Sequence, residues 1–275
     1  MASLASYWSQ RIDETASDVM GILNMGPADG IGLVVYFRGL NAAFTGQATL
    51  RNDGSGDEPH PADILRGFLA ASTVRLLSFD GAAAWAQAIE AGTLKDVARI
   101  SVSGVPVSIE RAGRSSDIVA NVIAATPMDS LDGQAQIDIQ NWRNEDEAVG
   151  QELRSSLLTS TPIAPNRVAG VYAAHVVATA ATTAHAGAGA VDNIIRRMMA
   201  LLKTMHDANS AWGPLFVAHP ERSRATSPMC AHPEPWSSSE AQPGISGPFG
   251  APSTAPPPRR SRAAAGPCAG SAGGP

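Results

Sequence analysis

The densest run of chemistry-bearing side chains is Asp53-Gly54-Ser55-Gly56-Asp57-Glu58-Pro59-His60-Pro61-Ala62-Asp63, with Arg66 one turn beyond it. Carboxylates and an imidazole on a glycine-flexible backbone are the donor set of a hard or borderline divalent ion. Asp57, Glu58, His60, Asp63 and Arg66 are therefore the candidate ligand or metal site, with a divalent metal as the possible cofactor. The string does not fit a helix–loop–helix calcium loop. With Gly56 at loop position six the ends are Arg51 and Ala62, and with Gly54 there they are Thr49 and His60. Neither register supplies the terminal bidentate Glu. A second chemistry competes at the same place. Pro61 suits the first position of a helix, and a helix start carries fixed positive potential that favours an anion, which Arg66 could share. Asp57 and Glu58 could equally complement that helix start from a solvated loop.

Other constellations offer less. His60, His175, His185 and His206 precede the C-terminal region. His175 and His185 stand ten apart, about 80° around a helix, which is not the i, i+4 pairing of a helical zinc site. No Glu-x-x-His pair marks a di-iron bundle. There is no Gly-x-Ser-x-Gly nucleophile elbow and no Gly-Lys-Ser/Thr phosphate loop. Gly30-Ile31-Gly32 begins a dinucleotide fingerprint but lacks its third glycine. Both cysteines, Cys230 and Cys268, lie in the C-terminal region, so the preceding part has no thiolate.

The elements that must position these residues read as helices. Ile12, Thr15, Val19, Ile22 and Leu23 form an apolar stripe that Gly26 and Pro27 end. Ile31 to Phe44 is a second helix, and 46–59 a surface loop of a length that is often functional. A third helix follows Pro61, with Ile64, Leu65, Phe68, Leu69, Val74 and Leu77 as its stripe, and a fourth runs from Gly81 to Asp96 with Trp85, Ile89 and Leu94 inward. The period changes to two at Arg99, with Ile100 and Val102 alternating with polar residues. Val102, then Val105, Val107 and Ile109, flank Ser103-Gly104 as a β-hairpin. Alternation over Gln134 to Gln140 predicts a third strand. Ser116 to Ala125 reads as a helix capped by Ser115 or Ser116, and further helices are expected over Glu145–Leu158, Arg167–His185 and Val191–Asp207. The expected core comprises Val19, Ile22, Leu33, Phe37, Ile64, Phe68, Leu69, Trp85, Ile89, Val122, Leu153, Leu157, Val171, Val176, Ile194 and Leu201.

Composition sets the outer bounds. The 275 residues are 44% hydrophobic but only 16% charged, and net charge is −5. That balance supports a sizeable core and argues against a nucleic-acid binder or a basic membrane-surface protein. Only Lys95 and Lys203 are lysines, a bias that with abundant Ala, Gly and Pro reflects GC-rich coding. The uncharged stretch between Arg167 and Asp192 is Ala-, Gly- and Thr-rich, which suits a close-packed helix better than a membrane span. The first ten residues lack the basic start and apolar run of a secretory signal, so a cytoplasmic location is expected. From Phe216 onward, 12 Pro, 7 Gly and 9 Ser fall in 60 residues. Such a segment has too little periodic apolar surface to offset its ordering entropy.

The sequence thus predicts a mainly α fold. Residues 1–215 form a helical globular domain with a small β-hairpin insertion, and 216–275 a disordered low-complexity tail. Two functions are open. One is association with itself or with a protein partner through close-packed helices. The other is a metal-dependent or anion-binding enzyme whose site lies at the His60 loop.

Overall fold

The computed structural model describes residues 2–159, 171–187 and 189–208. The expected tail over 216–275, and the first turn of the helix expected from Arg167, lie outside the described residues. Ten α-helices and one small sheet are found among the described residues, against the seven or so helices that periodicity alone suggests. They are α1 (Ala2–Ser9), α2 (Ile12–Met25), α3 (Pro27–Thr45), β1 (Asp53–Gly54), α4 (Asp63–Arg75), α5 (Ala82–Leu94), β2 (Ser101–Val102), β3 (Val105–Pro106), α6 (Ile109–Ala125), α7 (Gln136–Ile139), α8 (Asn144–Thr159), α9 (Ala173–His185) and α10 (Val191–Ala208). The fold is mainly α with a small sheet. None of the described helices is long and apolar enough to cross a membrane.

Helix α4 organises the larger core. Every residue from Asp63 to Val74 is buried, because α2, α3, α5 and α6 all pack against it. A helix enclosed on all sides has no polar face to spare, and α4 meets this with Ala70, Ala71 and Gly67 between its large apolar residues. Gly67 is required by proximity. A Cβ there would lie 2.6 Å from Thr93 Oγ1 of α5, closer than any side chain tolerates. At the solvent edge, Ser72 donates to Asp117 of α6 at 2.6 Å, and Arg75 bridges Asp117 (3.2 Å) and Glu90 (2.9 Å). A smaller core joins α8, α9 and α10 through Leu153, Val176, Leu201 and Met205.

The hairpin forms where the period-two pattern places it. Ser101 pairs with Pro106 and Val102 with Val105 in antiparallel register. Ser103 (φ 50°) and Gly104 (φ 75°) both adopt positive φ, the requirement of a two-residue turn that matches strand twist. The third strand is not Gln134–Gln140. It is Asp53–Gly54, which pairs in parallel with Ser101–Val102. The 134–140 segment instead makes the short helix α7, because the Asp138 carboxylate accepts the Ala135 N–H at 3.1 Å and closes a helical turn.

Helix α6 begins at Ile109 rather than Ser116. Ser108 is its cap, its hydroxyl accepting the Arg111 N–H at 3.3 Å, and Glu110 occupies the first turn. Ile109 therefore leaves the hairpin, whereas Val107 stays beside it, its N–H donating to the Ile100 carbonyl at 3.0 Å. The expected core is right for most positions, but Val122 is 52% exposed and Leu94, expected to face inward, is 42% exposed. Leu33, Trp85 and Val171 are half-buried. Helix α1 was not expected at all, yet its Leu4, Tyr7 and Trp8 are buried in the main core.

Candidate functional site

The loop before α4 is fastened from several sides. Asn52 donates to the Asp96 carbonyl (2.8 Å) and accepts the Ala98 N–H (3.0 Å). Arg11, itself buried, donates to the carbonyls of Ser55 (2.8 Å) and Gly56 (3.0 Å), while its guanidinium lies 3.8 Å from the Tyr7 ring centre. The Ala62 N–H donates to the Tyr7 hydroxyl at 2.8 Å. Burial raises the Tyr7 pKa above the phenol range, against the opposing pull of that N–H and of Arg11.

The five candidate residues separate within this frame. Asp63 turns inward at the start of α4, where Oδ2 accepts from Asn41 Nδ2 (2.8 Å) and the Arg51 N–H (3.1 Å). Arg51 also pairs with Glu58 and with Asp63 Oδ1 (3.4 Å). Arg66 is buried and donates twice to Asp18 of α2, at 2.7 and 2.6 Å, above the ring of Phe37 at 4.5 Å. The His60 side chain is 52% exposed, with Nδ1 3.4 Å from Glu14 Oε2. Glu14 also reaches Arg66 at 3.7 Å. Asp57 is exposed. Glu14, Asp18 and Arg51 were not among the expected site residues, yet they are what holds Glu58, His60, Asp63 and Arg66 in place. Among the described residues, no group of three or more His, Cys, Asp or Glu side chains is placed to hold a metal ion.

The other histidines keep to their own surroundings. His175 is buried between Trp142 and Tyr172, with ring centres 5.3 and 5.7 Å away. Its Nδ1 accepts the Tyr172 N–H at 3.1 Å, so the proton is assigned to Nε2, which donates to Asp146 Oδ1 at 2.8 Å. This imidazole ties α8 to α9. His185 is exposed at the end of α9, and His206 lies in the last turn of α10.

Charge burial near the loop has a measurable consequence. Asp29, in the first turn of α3, sits so close to α2 that a Cβ on Gly21 would fall 2.5 Å from its Oδ2. Burial, with a smaller push from Asp18, raises its pKa from 3.8 to about 6. The folded chain thus binds this proton more tightly than the unfolded chain. Above pH ~6 both states are ionised and the buried charge costs stability, a penalty relieved as pH falls from ~6 towards ~4. Asp29→Asn is expected to raise the unfolding free energy by about 1–3 kcal/mol at pH 7.5. That advantage should shrink towards zero near pH 4, measured by urea unfolding of both proteins across the range. An unchanged difference between pH 4 and 7.5 would show that Asp29 does not titrate in this window.

A large apolar groove lies elsewhere, between α1, the start of α2, and α6. It encloses about 780 Å³, within the range of small-molecule and peptide sites. Leu4, Trp8 and Ile12 line one wall, and Ile118, Val119 and Val122 the other. The Trp8 Nε1–H donates to Ser115 Oγ at 3.2 Å, joining the two walls.

No family model, curated protein or solved structure matches the chain.

The groove rests on how α6 divides its residues. The face against the core is made of small side chains, Ala112, Ser116, Ala120 and Ala124, at every fourth position. The branched Ile118 and Val122 face outward instead, 64% and 52% exposed. Spacing alone marks Ile118, Val119, Val122 and Ile123 as an apolar face and gives no sign that the alanine face would take the core. A second exposed stripe, Tyr36, Leu40 and Phe44, runs along α3 at i, i+4, i+8.

Proposed function

We propose that this protein acts by association, and that the groove between α1 and α6 receives a protein partner. The observation that carries this reading is the inverted α6, which buries alanines and leaves Ile118 and Val122 at the mouth of a large apolar groove. Contiguous exposed apolar surface of this kind marks interaction sites in folded proteins, whereas singly scattered apolar residues do not. Filling the groove would remove from water two branched side chains whose full burial is worth about 1.5–3 kcal/mol each.

The enzyme reading at the His60 loop has weaker support. Glu58 and Asp63 are already paired with Arg51 of the loop, and Arg66 with Asp18 of α2. A metal or an anionic substrate would have to compete with those contacts.

Photo-crosslinking tests the association reading. A benzophenone side chain at position 118 should give a discrete polypeptide adduct in an extract of the cells that make the protein. The same group at Gln87, exposed on α5, should not. Val122→Glu in the chain labelled at 118 should abolish the adduct. Equal labelling from 118 and 87, or none from 118, would overturn the reading.

A further inference from the structure

Resting on that reading of the groove, we infer that its occupant is an amphipathic helix of a partner protein with carboxylates clustered towards one end. The outward face of α6 carries Arg111, Arg114, Ile118 and Val122, which at 100° per residue fall within about 80° of arc. The stripe is therefore graded, cationic over its first turn and apolar over the next two. Arg111 and Arg114 are the only charged residues among those lining the groove. Arg114 shares its charge with Glu110 at 2.5 Å, while Arg111 makes no ion pair among the described residues. A complementary occupant is apolar along most of its length and acidic beside Arg111.

The shape of the groove selects a helix over an extended segment. Both walls are helices, and from Arg111 to Val122 the stripe rises about 17 Å, three turns of a third helix packed against them. No strand edge lines the groove, so an extended chain would bury its backbone N–H and C=O groups against Leu4, Trp8 and Val119 without partners. A helix satisfies those groups internally and offers apolar side chains at i, i+3, i+4 and i+7. Carboxylates near Arg111 would add orientation and salt-dependent association more than bulk affinity.

The test is a selection from a displayed library of random peptides of about 16 residues, long enough for three to four helical turns. The full chain is the target, and the Ile118→Glu chain is used to discard binders that do not need the groove. Enriched sequences should show helical apolar spacing with Asp and Glu gathered at one end, and a synthetic copy should gain helical circular dichroism on binding. Arg111→Gln with Arg114→Gln should weaken that peptide at least about tenfold at low salt and flatten its salt dependence. Both sites are exposed, and circular dichroism of each variant verifies its fold; Val122→Glu replaces Ile118→Glu if the latter unfolds. Groove-dependent peptides without acidic enrichment would overturn the charge assignment and leave docking intact. No groove-dependent peptide at all would overturn docking and this inference together. Stoichiometric, Arg111-dependent binding of dodecanoate without any peptide binding would replace the helix with a small amphiphilic anion.

Discussion

Replacing Arg66 with Met should lower the unfolding free energy by about 3–5 kcal/mol at neutral pH, the usual cost of removing one partner from a buried ion pair. The reason lies in Asp18. It is buried, and its carboxyl already titrates above the ordinary range because burial outweighs the two hydrogen bonds and the charge of Arg66. Without Arg66 only the burial remains, and the site must either hold an unpaired charge or take up a proton. The sign follows. A carboxylate raised in the folded state is penalised at high pH and relieved at low pH, so the Arg66→Met deficit should narrow as pH falls through the raised Asp18 value. Replacing both members, Asp18→Leu with Arg66→Met, should recover most of the loss, since a packed apolar pair of similar volume often matches a buried ion pair. Urea unfolding of the parent, both single variants and the double variant completes the cycle. A deficit below about 1 kcal/mol for Arg66→Met would show the pair to be effectively solvated.

Phe68→Ala should cost a similar amount, about 3–5 kcal/mol, by a different route. Phe68 is 3% exposed at the centre of α4. Truncation removes its apolar transfer energy and leaves a void that rigid neighbours fill poorly. The two substitutions should differ in pH response. Phe68→Ala leaves no stranded charge, so its deficit should stay nearly constant with pH while that of Arg66→Met narrows as pH falls through the raised Asp18 value. Measured losses below about 0.5 kcal/mol would instead place Phe68 at the surface.

Local chemistry made much of this fold legible. Gly26 and Pro27 punctuate α2 and α3 as read, Ser103-Gly104 turns the hairpin, and the α4 stripe is buried. Where the reading failed, a short-range hydrogen bond or a tertiary choice had decided. Asp138 closing a turn onto Ala135 overrode five alternating residues, and Ser108 started α6 about two turns early. The alanine face of α6 turned inward against α4, where Ser116 Oγ lies 3.5 Å from the Leu65 carbonyl. Nothing in the α6 periodicity ranks that face above Ile118 and Val122. The candidate site was legible as a cluster but not as a function. Arg66 and Asp18 are 48 residues apart, and Arg11 reaches Ser55 across 44, so their engagement is a property of the packed chain alone.

The complete enclosure of α4 matters while the chain is being made. Its partners α2 and α3 are synthesised before it, but α6, which covers another side, is finished only at Ala125, 50 residues after Arg75. At typical elongation rates the nascent chain carries a partly bare α4 for roughly 3–10 s. Thirteen residues form a marginal helix without tertiary support, so through that interval Ile64 to Val74 is an uncovered apolar segment next to the ribosome. A chaperone that binds short apolar stretches of a growing chain would find a substrate there, and would be displaced when α6 arrives.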